Sequence, residues 1–264
     1  MENCCWRIYT ALLTAVLTWA MAPTASLAAQ PEVIVAQAPF EALSEEGGPV
    51  LIDPGHGGID GGTSVGGVLE KDLVLDIGLR LREVLLKEGC PVVMTRERDE
   101  DVSHRYPSPL RSRHARDLRN RVRIARESGT HLFVSIHVNH SSASGPRGAV
   151  ILHEANDPAG AWLAELAKNQ LAAVTGRAIV FPNRSLHVLR RAPCPAILVE
   201  VGYLSNPADR RALLDPAYRQ RLAEALAGAI RAYQITSLVP PERQKKTPIP
   251  AFWGMALFGG PKWT

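Results

Sequence analysis

The sequence predicts an α/β fold, a three-layer α/β/α sandwich with a mostly parallel central sheet. Runs such as "PVLID", "HLFVSIHV" and "AILVEVGYL" are almost continuously apolar, as strands covered on both faces require. They alternate with segments of helical period, and each return to a parallel strand needs a right-handed crossover. Gly89 and Gly129 stand where the first two helical patterns stop.

In chain order, the strand "PVLID" runs into the glycine-rich turn "PGHGGIDGG", and the helix "EKDLVLDIGLRLREVLLKEG" follows with apolar positions three and four apart. "PVVMTR" reads as a strand, "RDLRNRVRIARESG" as a helix and "HLFVSIHV" as the next strand. Then come the strand "GAVILHE", the helix "GAWLAELAKNQLAAVTG", the strands "SLHVLRRA" and "AILVEVGYL", and a last helix through "YRQRLAEALAGAIRAYQ". Asn206, in "SNPAD", is expected to cap that last helix. These elements make one domain over residues 49–236.

The flanks are of a different kind. Residues 1–29 read as a signal peptide or an N-terminal anchor: Arg7 precedes the apolar run "IYTALLTAVLTWAMA", and small residues end at Ala28. That run falls short of the roughly 20 apolar residues of a full span, and Glu2 weakens its charged head, which favours export. No later stretch is expected to cross a membrane. Residues 30–48 read as a linker, with "EVIVA" its one extended segment, and residues 237–264 as an irregular Pro/Gly/aromatic tail carrying Phe252, Trp253, Phe258 and Trp263.

With 264 residues, 46% of them hydrophobic, the chain buries a large core without a disulfide framework. Cys4 and Cys5 lie in the leader, while Cys90 and Cys194 each precede an apolar strand and read as small buried residues. A net charge of +4 favours a polyanionic neighbour, and outside the cell membrane that means anionic wall polymers and not nucleic acid. The arginine-dense region 96–126 also carries Asp99, Glu100, Asp101 and Asp117, and reads as a solvated mixed-charge loop and helix.

In an open α/β sheet a ligand site lies beyond the carboxyl ends of the strands. His56 after "PVLID", His137 late in "HLFVSIHV" and Glu200 at the end of "AILVE" fall there, and Glu70, at the start of a helix, is on the same side. Two imidazoles and one carboxylate match a catalytic zinc site with one position open to water, and the remaining carboxylate can take and return protons. Composition does not decide which glutamate has which role. His140 reads as an exposed loop residue, His153 and His187 as core or rim residues of strands, and His104, His114 and His131 have no evident partner.

The motifs "LIDPGHGGIDGG", "LEKDLVLDIGLRLREVL", "MTRERD", "DLRNRVRIA", "LFVSIHVN" and "PAILVEVGYLSNPAD" resemble, in the same order, the zinc-dependent N-acetylmuramoyl-L-alanine amidases of the amidase_3 type. Among them the chain is most similar to the germination-specific, spore-cortex amidases. The resemblance implies Zn2+ held by His56, Glu70 and His137, with Glu200 the catalytic acid/base. Arg121 and Asn139 match a family arginine and asparagine and stand as substrate-binding candidates with no chemical step assigned. The implied reaction is hydrolysis of the amide between N-acetylmuramic acid and L-alanine in peptidoglycan, outside the cytoplasm in cell wall or spore. An activating protein or a cortex deacetylase of the same pathway is the implied protein partner. Division-type members insert a self-inhibitory helix between the second histidine and the catalytic glutamate. Here that interval holds only a strand, a helix and a strand, so an uncovered site is expected.

Two rivals stand against this reading. One is a zinc peptidase acting on peptidoglycan stem peptides, which the absence of an HExxH helix disfavours in part. The other is a non-catalytic cell-wall binding protein.

Overall fold

A computed structural model describes residues 48–237. The expected leader at residues 1–29, the linker at residues 30–48 except Gly48, and the tail beyond Ser237 with its four aromatics lie outside the described residues.

The strands are β1 (Val50–Pro54), β2 (Ser64–Val65), β3 (Val68–Leu69), β4 (Val92–Met94), β5 (Leu132–Asn139), β6 (Ala149–Glu154), β7 (Ala178–Asn183) and β8 (Ala196–Tyr203). The helices are α1 (Glu70–Lys87), α2 (Arg113–Glu127), α3 (Pro158–Thr175), α4 (His187–Arg191), α5 (Pro207–Leu214) and α6 (Pro216–Ser237). Six strands form one sheet in the order β4-β1-β5-β8-β6-β7, and β2 and β3 form a separate antiparallel pair. Within the large sheet only the β6–β8 pairing is antiparallel. The mostly parallel sheet of the sequence prediction is therefore present.

Alternation along the buried strands divides the core into two layers. Ile52, Val134, Ile136 and Val199 pack with α1, α3 and α6 through Ile77, Leu81, Leu163, Leu171, Leu226 and Ile230. Leu51, Phe133 and Leu198 face the other way, onto Val122 and Ala125 of α2 and Val188 and Leu189 of α4. The first two helices stop as expected, since Gly89 and Gly129 take φ of 78° and 63°, a left-handed conformation that favours glycine.

Three local expectations are corrected. "SLHVLRRA" is not a strand. It contains α4, in which Arg190 N donates to Leu186 O at 3.0 Å and Ala192 N to Val188 O at 3.1 Å, the four-residue spacing of a helical turn. The strand in this part of the chain is β7, "AIVFPN", whose Pro182 is tolerated because β7 is an edge strand. The last helix is preceded by a separate short one: Asp215 is extended (φ −79°, ψ 118°), as a residue before proline tends to be, and Pro216 opens α6. Asn206 accordingly caps α5 and not the last helix, its side chain accepting from Ala208 N at 2.9 Å and Asp209 N at 3.2 Å.

The region 96–126 is corrected as well. Arg96, Asp117 and Arg121 are buried, because their charges meet carbonyls and carboxylates inside the protein. Cys90 is a buried free thiol and Cys194 a half-buried one. No helix of the described residues is long and apolar enough to cross a membrane.

Candidate metal centre

β1 ends against a turn in which His56 has φ 58°, the one non-glycine residue with positive φ among the described residues. Gly57 and Asp60 exchange backbone hydrogen bonds of 2.9 and 3.1 Å across this turn. His56 Nδ1 lies 3.1 Å from Asp60 Oδ1, and its Nε2 lies 3.2 Å from Glu70 Oε1.

Glu70 is the first residue of α1. The β2–β3 pair delivers it, and its own N–H donates to Thr63 O at 2.9 Å. The carboxylate is buried, with Oε2 accepting from Thr63 N at 2.9 Å and Oε1 from Val138 N at 2.9 Å. His137 reaches the same oxygen, its Nδ1 being 3.0 Å from Oε1. The two imidazole rings meet edge to face with centroids 4.9 Å apart. Gly55 makes room for this: a Cβ there would lie 2.3 Å from His137 Cε1.

Glu200 completes the group. It is paired with His137 in the parallel β5–β8 register, and the two side chains therefore share a face of the sheet. Its Oε2 is buried without a hydrogen-bond partner. Burial is the main cause that pushes its carboxyl up to about 7, with Glu70 adding to the shift and the two histidines opposing it. Burial also works against the charged form of His56, yet hydrogen bonds to Asp60 and Glu70 raise its imidazole to about 9. Glu70 is buried too, but His137 and His56 hold its carboxyl well below the usual range.

These residues fit a divalent cation. One ligand atom each from His56, Glu70 and His137 lie within 4.8 Å of one another, and two neutral imidazoles with a carboxylate are a donor set suited to zinc. The two rings retain 23% and 20% exposure, so the centre is open to solvent.

Arg121 and Asn139 are placed differently from the other four. Arg121 is buried beneath the turn and donates to Asp117 Oδ2 (2.7 Å), Asp53 Oδ1 (2.6 Å), Pro54 O (2.9 Å) and His56 O (2.7 Å). Its guanidinium is consumed inside the protein. Asn139, also buried, accepts from His140 N through Oδ1 at 2.8 Å and from Leu204 N through its carbonyl at 2.8 Å. Of the remaining histidines, His140 is exposed, His153 sits in β6 with Nδ1 2.8 Å from Glu154 O, and His131 Nε2 meets the Gln234 side chain at 3.1 Å. His187 is the exposed first residue of α4 and not a strand residue.

The sequence motifs did not single out Asp60, Arg96 or Asp99. Asp60, four residues after His56 within the same glycine-rich turn, was the one with a readable signal, because a carboxylate there can reach the ring's second nitrogen.

The domain is a three-layer α/β/α sandwich with a His–Glu–His donor set that could hold a metal ion and a buried glutamate across the strand pair. Residues 50–232 match the family model Amidase_3, described as N-acetylmuramoyl-L-alanine amidase, and the chain belongs to that family. It is 32% identical over 197 residues to the germination-specific N-acetylmuramoyl-L-alanine amidase of Bacillus subtilis (strain 168), covering 73% of this chain and 82% of that one. It is 30% identical to the sporulation-specific N-acetylmuramoyl-L-alanine amidase of the same organism, covering 69% of this chain and 66% of the relative. Among solved structures, the CwlD amidase from Clostridioides difficile in complex with the GerS lipoprotein superposes with a TM-score of 0.66 at 30% identity, over 72% of this chain and 99% of that chain. The activity is that of a peptidoglycan N-acetylmuramoyl-L-alanine amidase.

Proposed function

We propose that the chain is a zinc-dependent amidase that cuts between the lactyl group of N-acetylmuramic acid and L-alanine, with a role in spore cortex maturation. His56, Glu70 and His137 would hold the ion, and Glu200 would act as general base and then general acid. The observation that carries this reading is the convergence of those three ligands within 4.8 Å, with Glu200 paired to His137 across β5 and β8.

Zinc, when bound, supplies a Lewis acid for the lactyl carbonyl and makes water acidic enough to attack near neutral pH. The residues of the chain do the rest. Glu200 has an unpartnered carboxyl oxygen and a proton affinity matched to neutral pH, so it can accept a proton from water and return it to the departing L-alanine nitrogen. Asp60 accepts from His56 Nδ1 and so turns Nε2 toward Glu70. Arg121 holds the His56 carbonyl from below. The open centre is consistent with a chain that lacks the self-inhibitory helix of division-type members.

The cortex role rests on similarity to the germination-specific relative. Export through residues 1–29 fits action on wall material. A protein activator is suggested by the neighbour whose structure is a complex with the GerS lipoprotein.

The test is muropeptide analysis of purified sacculi digested with and without a chelator. Release of peptides beginning with L-alanine, with muramic acid left intact and the release stopped by chelation, is expected. Fragments cut inside the stem would indicate a peptidase, and wall binding without any product would indicate a scaffold.

A further inference from the structure

The loop after β4 carries an arginine that no motif singled out. Arg96 is fully buried, yet no carboxylate pairs with it directly. Its donors go to four backbone carbonyls: Nε to Pro54 O at 3.0 Å, Nη2 to Gly55 O and to Lys71 O at 2.8 Å each, and Nη1 to Arg98 O at 3.1 Å. Gly55 immediately precedes His56, and Lys71 immediately follows Glu70. One nitrogen therefore bridges the two segments that carry two ligands of the proposed metal centre.

The same loop grips those segments again at its exposed end. Asp99 Oδ1 accepts from Gly58 N at 2.8 Å and Oδ2 accepts from Lys71 Nζ at 2.7 Å, while Lys71 Nζ donates to Gly58 O at 2.8 Å. The loop lies so close that a Cβ on Gly57 would be 2.2 Å from Glu100 O. His56 holds a left-handed backbone conformation that L residues rarely adopt, and such a conformation persists where surrounding contacts over-determine it.

We propose that Arg96 is a positioning residue of the metal centre, acting through the strap at residues 96–101 to fix the spacing of the His56 turn and the start of α1, and thereby setting the affinity for a divalent cation. This rests on the metal-centre reading above. A planar guanidinium presents five donors in a fixed fork and here meets four carbonyls at once, whereas a lysine ammonium has three donors on one nitrogen and cannot satisfy all four. The charge is kept and the geometry lost in Arg96→Lys.

The experiment measures zinc stoichiometry and affinity by chelator competition for the parent, Arg96→Lys and Asp99→Ala, together with the visible spectrum of cobalt(II)-loaded protein. Parent protein binding one zinc per chain, with Arg96→Lys weakened about 10- to 100-fold, is expected, because loss of outer partners costs metal sites that much. The cobalt spectrum of the variant should differ from the parent's, a change that a purely structural role would not produce in the folded fraction. Affinity within about twofold of the parent with an unchanged spectrum would overturn the inference. Should Arg96→Lys fail to fold, the exposed Asp99→Ala decides: weakening of about threefold or more supports the strap, and unchanged affinity overturns it. Parent protein that binds no zinc would instead overturn the metal-centre reading itself.

Discussion

His137 and Glu200 face each other across the parallel β5–β8 pair, one a proposed ligand and the other a buried acid whose Oε2 meets no donor. An unsatisfied buried carboxyl keeps its proton, which is why burial lifts it to about 7. In metal-free protein the native state therefore retains this proton while the unfolded chain loses it near 4.5, so stability falls as pH rises from about 4.5 to 7. Glu200→Gln should abolish turnover. In the presence of chelator it should also raise stability above pH 7 by up to about 3 kcal/mol, while changing little near pH 4, since one pKa unit is worth about 1.4 kcal/mol. Denaturant titrations at both pH values check this, and an equal effect at both would refute it.

His56 provides a test with the opposite sign. Its imidazole is raised to about 9, so the stability it confers on metal-free protein is complete below 6.5 and is lost as pH climbs through 9. Asp60→Asn removes one of the two carboxylates responsible. NMR titration of His56 should show its midpoint falling by at least about one unit in this variant, and zinc affinity should drop about tenfold or more. A midpoint unmoved by the substitution would show that Asp60 does not orient the ring.

Much of the fold was legible because buried parallel strands are apolar without interruption, and β1, β5 and β8 are such runs. The same runs pointed to the candidate site, since His56, His137 and Glu200 stand at or near their ends, and the fold brings them together. β7 was harder to see: its burial is only partial, and Pro182 argues against a strand unless the strand is known to lie at an edge. Nothing in "MTRERDED" distinguishes a buried arginine from its solvated neighbours. Arg96 is buried because carbonyls from two distant segments converge on it, and that convergence exists only after β1, α1 and β4 have assembled.

Gly55 separates the needs of the site from those of the backbone. It lacks the positive φ found at Gly57, Gly58 and Gly62, so Gly55→Ala introduces a steric demand without backbone strain. The new methyl group would overlap the His137 ring. The ring must move, and zinc binding and activity should fall at least about 100-fold, while the fold loses only about 1–3 kcal/mol, the usual cost of overpacking. Circular dichroism melts alongside metal analysis check the split, and full metal occupancy in the variant would contradict it.

Asp53 lies one layer deeper and tests what holds the turn. Its Oδ1 accepts from Thr95 Oγ1 at 2.7 Å and from Arg121 Nη1 at 2.6 Å, and its Oδ2 from Ser135 Oγ at 2.7 Å. Although burial opposes ionisation, Arg121 and the two hydroxyls keep this carboxyl below its ordinary value, so its contribution is present above about 3.8 and is lost as pH falls below that. Asp53→Ala leaves Arg121 with Asp117 as its remaining carboxylate, and breaking such a buried pair typically costs about 3–5 kcal/mol. The loss should be seen at neutral pH by chemical denaturation and should shrink in acid. Because Arg121 also donates to Pro54 O and His56 O, activity should fall even under conditions where the variant remains folded. A variant with unchanged activity but lowered stability would show that the Asp53–Arg121 pair supports the sheet without setting the position of His56.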